Sequence, residues 1–382
     1  GTNYEYQLYR NAALVGTMQT GTGGTLVWNI TEPAGGTFTY TVKATNNLNS
    51  CVLDMTGSAV ITVRDVLTAP VIGSDQLICY NVVPGTLNVT TPAGGGSNNF
   101  SYQWQKSTDQ STWTNVGTGL SYTPPALTAT TYYQVIATDN GTPPCGSITS
   151  NMVTITVNPA FVAPVASASQ TICNGTAPAA LSATAAGGGS GVFIYKWYVS
   201  TNGTTFTSIA DATDRTHYQP PALTATTYYL VRATENGEPF CGYINSNVVT
   251  ITVQAIPTPG AIQASQTICK DATPSLLTST TGGDGTGSGT ITYEWEYSTD
   301  GGASWSTPIA GENLSSYQPP SLSVTTIYQR RTVSTMPSGG GSNVCYSAWT
   351  SPVTITIDNT APVITCPVSS PFTRSTDLGK CI

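Results

Sequence analysis

The chain has 382 residues and a net charge of −7, and only 8% of its residues are charged. Twelve dispersed Lys and Arg residues do not make the clustered basic surface that a phosphate backbone requires, which excludes nucleic acid as a partner. No apolar run approaches the length of a membrane span, and a single histidine leaves little for zinc or general-base chemistry. What fills the chain is Thr, Ser, Gly, Pro, Val and Tyr, a mix suited to short strands and tight turns and poor in straight-chain helix formers. With 39% apolar residues it can build cores, so the expectation is an all-β chain.

Taken in order, the elements repeat. Residues 1–66 hold three strand-like runs, "YEYQLY" from Tyr4, "TYTVKAT" from Thr39 and "AVITV" from Ala59. They match the later two-thirds of the units that follow; the opening strands are missing, and Leu8 stands where the others carry Trp. Residues 67–158 form the first full unit, 159–254 the second and 255–358 the third. Each opens on a phrase like "SQTIC" (169–173), carries "YQW", "YKW" or "YEW", continues through "PPALTATTYY" or a variant, and closes on "VTITV" or "VTITI". The opening cysteines recur after 94 and 96 residues, a period of whole domains in tandem. Residues 359–382, "PVITCP…GKC" within them, begin a further unit that resembles the start of a hyalin repeat. The ends read as those of a fragment from a longer array. A sharper reading has the closing strands of one chain complete the first element of the next, a head-to-tail donor-strand assembly.

Inside each unit, alternation puts Phe100, Tyr102 and Trp104 on one strand face, and Trp197 and Trp295 recur at the same place. This central aromatic resembles the core Trp of immunoglobulin domains. The segment "TATTYYQV" resembles the entry to strand F of that fold, with Tyr133, Tyr229 and Tyr328 facing inward. Val135 and Val231 then occupy the usual place of a disulfide cysteine, and Arg330 takes it in the third unit. The expected fold is therefore a series of tandem Ig-like or PKD-like β-sandwiches. Short proline-bearing junctions, such as "NPAFVAPVAS", limit bending and predict an extended semi-rigid rod.

The nine cysteines are widely spaced and form no C-x-x-C pair, the pattern of disulfides made in an oxidising, extracellular setting. Two per unit favours Cys79–Cys145, Cys173–Cys241 and Cys269–Cys345, with Cys366–Cys381 in the last unit and Cys51 unpaired. A rival scheme links neighbours, because 28 residues separate Cys51 from Cys79, Cys145 from Cys173 and Cys241 from Cys269. A ten-residue strand carries the chain about 33 Å, which weighs against both.

Catalytic readings find little support. His217 aligns with Ser121 and Ser316, and the acids Asp109, Asp139, Asp211, Asp284 and Asp300 fall in turns, where bonds to backbone amides account for them. "STDGGASW" (298–305) fits the Asp-box pattern of sialidases, but its repeat-mates read "STDQSTW" and "STNGTTF", which marks a hairpin turn. No catalytic residue and no cofactor is assigned. Structural calcium at the junctions would have only Asp65 and Asp358 to draw on, short of the six to eight oxygens it takes. The Gly-rich runs "AGGGSNN", "AAGGGSGV" and "GGDGTGSGT" precede no helix and read as B–C loops at a domain tip, the place for any binding.

Taken together, "SQTIC", "PPALTATTYY" and "SNVVTITV" are similar to the Ig-like/PKD-like modules of giant Bacteroidota cell-surface proteins, the gliding-motility adhesins of the SprB type. The resemblance implies export by the type IX secretion system, a bacterial cell-surface location, and contact with surface glycans or substratum. It implies a non-catalytic stalk whose immediate partners are neighbouring domains of the same long chain. The alternative is a glycan-binding accessory array of a secreted hydrolase.

Overall fold

The computed structural model describes residues 2–32, 35–283, 289–336 and 344–361. The hyalin-like element with Cys366 and Cys381 lies outside them from residue 362 onward, as does Asp284. Every regular element among the described residues is a β-strand. The chain divides into two compact units, residues 1–163 with 186–194 and 233–244, and residues 164–185 with 195–232 and 245–382. The division runs through the repeat at 159–254, so each unit contains one complete junction between consecutive repeats.

The repeat at 67–158 shows how the sequence makes a sandwich. One sheet runs in the order Thr114–Thr118, Phe100–Ser107, Thr131–Asp139, Val153–Val157 and Gln76–Ile78. Its last pairing is parallel, Ile155 opposite Gln76 and Val157 opposite Ile78. The facing sheet is Ser121–Tyr122, Leu87–Thr91 and Val71–Ile72. The Thr131–Asp139 strand alternates buried and half-buried residues along its whole length, the period-two pattern that fixes which face meets the core. Trp104, Tyr133, Val135 and Ile155 meet Ile72 and Leu87 between the sheets, and Trp104 has no exposed surface. Burying an indole of about 150–250 Å² is worth about 4–6 kcal/mol. Its one polar atom, Nε1, donates to the Gly119 carbonyl at 2.9 Å.

The next two repeats reuse this arrangement. Trp197 and Trp295 are fully buried and donate to the carbonyls of Asp214 (2.8 Å) and Leu314 (3.0 Å). Tyr229 and Tyr328 are buried in the same cores. The parallel closing pair recurs, Gln170 to Cys173 against Ile251 to Gln254, and Gln266 to Cys269 against Ile355 to Asp358.

Arg330 departs from the pattern. It replaces a core valine yet is fully buried. Its guanidinium lies 4.5 Å from the Tyr293 ring centre and 5.7 Å from that of Trp295. It donates to the Ser315 carbonyl at 2.7 Å, the Pro259 carbonyl at 3.2 Å and the Ser279 hydroxyl, while Nε has no partner. Burial lowers its pKa from the ordinary value. The charge is met by carbonyl dipoles and aromatic faces.

Residues 1–66 form a smaller assembly. Tyr4–Arg10 pairs with Gly36–Asn46, and Leu8 sits opposite Val42, the register that Trp104 has with Val135. Ala59–Val63 pairs with the start of Gly36–Asn46. The buried apolar residues here are Leu8, Tyr40 and Ala44.

Candidate functional site at the inter-repeat junctions

Where a cysteine lies in these sandwiches follows from strand direction. Gln76–Ile78 runs parallel to the last strand, so Cys79 emerges at the end where the chain leaves the repeat, and the Asn158 amide donates to the Ile78 carbonyl at 2.9 Å. Thr131–Asp139 runs the opposite way and delivers the F–G loop with Cys145 to the other end. Nine strand residues span about 30 Å, whereas a disulfide needs its Cα atoms about 4.4–6.8 Å apart. Pairing within a repeat is therefore ruled out.

The bonds found are Cys79–Cys241 and Cys173–Cys345, with Cα separations of 5.5 and 5.6 Å. Each joins the opening segment of one repeat to the F–G loop of the next. Neither pairing expected from the sequence forms, and Cys51, Cys145 and Cys269 are free and exposed. The constant spacing of 28 residues reflects the fixed length of last strand plus linker, not contact. Cys51 lies in the F–G loop of the first element and Cys79 at the far end of the following repeat.

The Gly-rich runs also have a different role from the one expected. They are seats for the linker arriving from the preceding repeat, not free tips. Gly96 donates its amide to the Asp65 carbonyl at 2.9 Å, and Gly189 donates to the Pro159 carbonyl at 2.8 Å. Gly188 has φ +74°, and a Cβ there would stand 1.9 Å from the Ala160 carbonyl oxygen; at Gly95 it would stand 2.1 Å from that of Val66. Only glycine allows both that backbone conformation and that approach. In the third repeat a Cβ on Gly283 would stand 2.7 Å from the Thr258 carbonyl oxygen.

A buried carboxylate fastens each F–G loop. Asp139 accepts hydrogen bonds from the amides of Ser97 (3.1 Å), Gly141 (3.3 Å) and Cys145 (2.9 Å) and from the Ser97 hydroxyl. Arg64, from the end of the preceding element, reaches the same carboxylate at 3.5 Å and donates to the carbonyls of Pro143 (2.8 Å) and Thr142 (3.0 Å). Glu235 repeats the device, taking the amides of Ser190 and, at 2.7 Å, Cys241. The Ser97 hydroxyl, followed by the amide donors, holds the Asp139 carboxyl well below its usual range. For Glu235 burial works upward, and the amides of Ser190 and Cys241 outweigh it, so the net shift is also down. A depressed carboxylate contributes stability that is complete above its unfolded value of about 3.9 and is lost as pH falls through the lower folded value. The F–G loop of the 67–158 repeat is thus expected to lose amide-exchange protection at Cys145 only in strongly acidic solution. Asp139→Asn should remove both that protection at neutral pH and its pH dependence. Sequence reading assigned Asp139 to a turn and left Glu235 aside, although "ATDNG" and "ATENG" end the two core strands alike.

The Asp-box-like stretch is a hairpin turn. The Asp300 carboxylate accepts from the Ser304 amide at 3.0 Å and the Ser298 hydroxyl at 2.7 Å, and the Trp305 ring would lie 3.7 Å from a Cβ on Gly302. Hydrogen bonds, that from the Ser304 hydroxyl first, depress its pKa. Asp109 and Asn202 bind their own turn amides in the same way. Asp300→Ala is expected to speed amide exchange at Ser304 about tenfold, the loss of one such bond, and to leave exchange in the Trp295 strand unchanged. His217 is exposed, and no three His, Cys, Asp or Glu side chains converge as a metal site among the described residues.

Fold and junctions together define a tandem β-sandwich repeat protein whose consecutive repeats are covalently bridged. Residues 68–159, 162–255 and 258–359 each match the family described as Domain of unknown function (DUF8696), and the chain belongs to that family. No curated protein matches it. Among solved structures, domains A168–A170 of titin share 16% identity over 75% of this chain and 97% of that one, at a TM-score of 0.32. Human CDH23 EC21–23 shares 14% over 76% and 100%, at 0.32. The fibronectin(III)-like modules of Clostridium thermocellum CbhA share 15% over 52% and 93%, at 0.28.

Proposed function

We propose that the chain is a stalk segment of a secreted bacterial cell-surface adhesin of the gliding-motility type, exported by the type IX system and without catalytic activity. The observation that carries this reading is the pair of junction disulfides, each tying one repeat to the next. Such bonds persist in oxidising, extracytoplasmic settings. They also overlap along the chain, since Cys173 lies between Cys79 and Cys241, and Cys241 lies between Cys173 and Cys345. A force applied along the chain therefore passes from repeat to repeat through a bond as well as through a linker, which suits a load-bearing element. The B–C loops are occupied by linkers, so the sandwich ends that commonly bind ligands are used for stacking here.

Antibodies raised against residues 67–358 should label intact, unpermeabilised source cells, and deletion of the gene should reduce attachment or surface translocation. Absence of surface labelling would overturn the reading. Millimolar or tighter binding of residues 67–358 on a glycan array would favour the accessory-array alternative instead.

A further inference from the structure

In the three complete sandwiches the last strand is covered by an opening segment running parallel to it. The isoleucine at the centre of that strand is then sealed, and Ile155, Ile251 and Ile355 have no exposed surface. The corresponding strand of the first element, Ala59–Val63, has no such neighbour among the described residues, and its Ile61 is 48% exposed. Beneath it runs a groove of about 470 Å³ lined by Leu8, Trp28, Ile30, Tyr40, Ile61 and Val63. The Glu32 side chain also lines this groove and is 9% exposed. Its Oε2 pairs with Arg10 at 2.7 Å, and its buried Oε1 has no hydrogen-bond partner.

A thiol waits at the end of the same strand. Arg64 follows it directly and holds the carbonyls of Thr142 and Pro143, and two residues beyond Pro143 is the free, exposed Cys145. The Cys145 amide is held by Asp139 as that of Cys241 is held by Glu235. Cys241 and Cys345, at the same place in their F–G loops, are each bonded to the cysteine that ends a parallel opening segment.

We propose that residues 1–66 and Cys145 form an acceptor for one occupant, the opening segment of another repeat of this family, an extended apolar strand ending in cysteine. The segment adds parallel to Ala59–Val63 and is closed by a disulfide to Cys145. The register follows from the second repeat, where Gln170, Ile172 and Cys173 lie opposite Ile251, Val253 and Gln254. Transferred to the first element, a Ser-Gln-Thr-Ile-Cys segment sets its Gln opposite Ile61, its Ile opposite Val63 and its Cys level with Arg64. Main-chain bonds to the strand edge supply affinity, and the groove selects the apolar side chains.

The test uses the full chain and a synthetic peptide of residues 168–176 carried as a mixed disulfide with glutathione. The Cys145 thiolate attacks the peptide sulfur, the peptide–glutathione bond breaks, and glutathione leaves as the thiol with the proton that Cys145 gave up. Seating raises the local concentration of the peptide, so the Cys145 adduct should form at least about tenfold faster than with a scrambled peptide. Equal rates, or adducts spread evenly over Cys51, Cys145 and Cys269, would overturn the proposal. Ile61→Lys should abolish the preference while Cys145 still reacts with glutathione disulfide at the unsubstituted rate. Because that variant can unfold the first element, a Cys→Ser form of the peptide is added to the unsubstituted chain and read by amide exchange. Protection gained at residues 60–63 supports the acceptor, and none sinks it.

Discussion

Stretched between its ends in a single-molecule force experiment, the oxidised chain is expected to release about 60 nm less contour length than the reduced chain, at about 3.5 Å per extended residue. The figure follows from the overlap of the two bridges. Reduced, the segment from Cys79 to Cys345 extends through 266 residues. Oxidised, its shortest covalent path runs from Cys79 through 94 residues to Cys173 and across to Cys345. The other path crosses from Cys79 to Cys241 and then runs through 104 residues to Cys345. Both paths load together, and the rest of the segment is shielded. Pairing within repeats would instead hide each repeat separately and leave the linkers between them exposed to force. A Cys173→Ser and Cys345→Ser double variant keeps one bridge, so it should fall between the two extremes. Equal contour release with and without reductant would show that the bridges do not bear load.

Replacing Arg330 by alanine is expected to destabilise the third repeat by about 3–5 kcal/mol, a large core truncation joined to stranded acceptors. The carbonyls of Ser315 and Pro259 both lose their donor, and the face of Tyr293 loses its cation. Arg330→Met keeps most of the volume and removes the charge, so it should cost less than alanine, because a buried charge replaced by packed apolar atoms is often tolerated. Chemical denaturation of residues 255–358 within the whole chain, followed by the fluorescence of Trp295 and its neighbours, would measure both. An alanine variant as stable as the parent would mean that the guanidinium is a passenger in the core. The linker adds a separate readout: Pro259 is tied to the core through Arg330, so protease sensitivity near residues 256–260 should rise in both variants.

Much of the fold was legible in the sequence because a β-sandwich core is written in alternation. Phe100, Tyr102 and Trp104 declare one face by period two, and repetition confirms it twice at Trp197 and Trp295. Arg330 was legible as a substitution, since it stands where Val135 and Val231 stand. Its partners were not, because Pro259, Ser279 and Ser315 lie far from it in sequence and only the closed sandwich brings their oxygens to it. The aspartates of the turns could be read because their donors lie within four residues. The junction carboxylates could not be read in the same way, because the amides of Ser97 and Ser190 lie more than 40 residues from them.

The cysteines mark the boundary most clearly. Their regular spacing established by itself that disulfides recur with the repeat and that the chain is built from like modules. It could not choose partners, because a spacing along the chain is a sum of strand and linker lengths and carries no direction. Tertiary structure made that choice through the parallel pairing of Gln76–Ile78 with Val153–Val157, which turns the opening cysteine toward the exit of its repeat. The F–G loop lies at the entry, one strand length away. The distance within a repeat is thus too great, and the meeting point is the junction with the next.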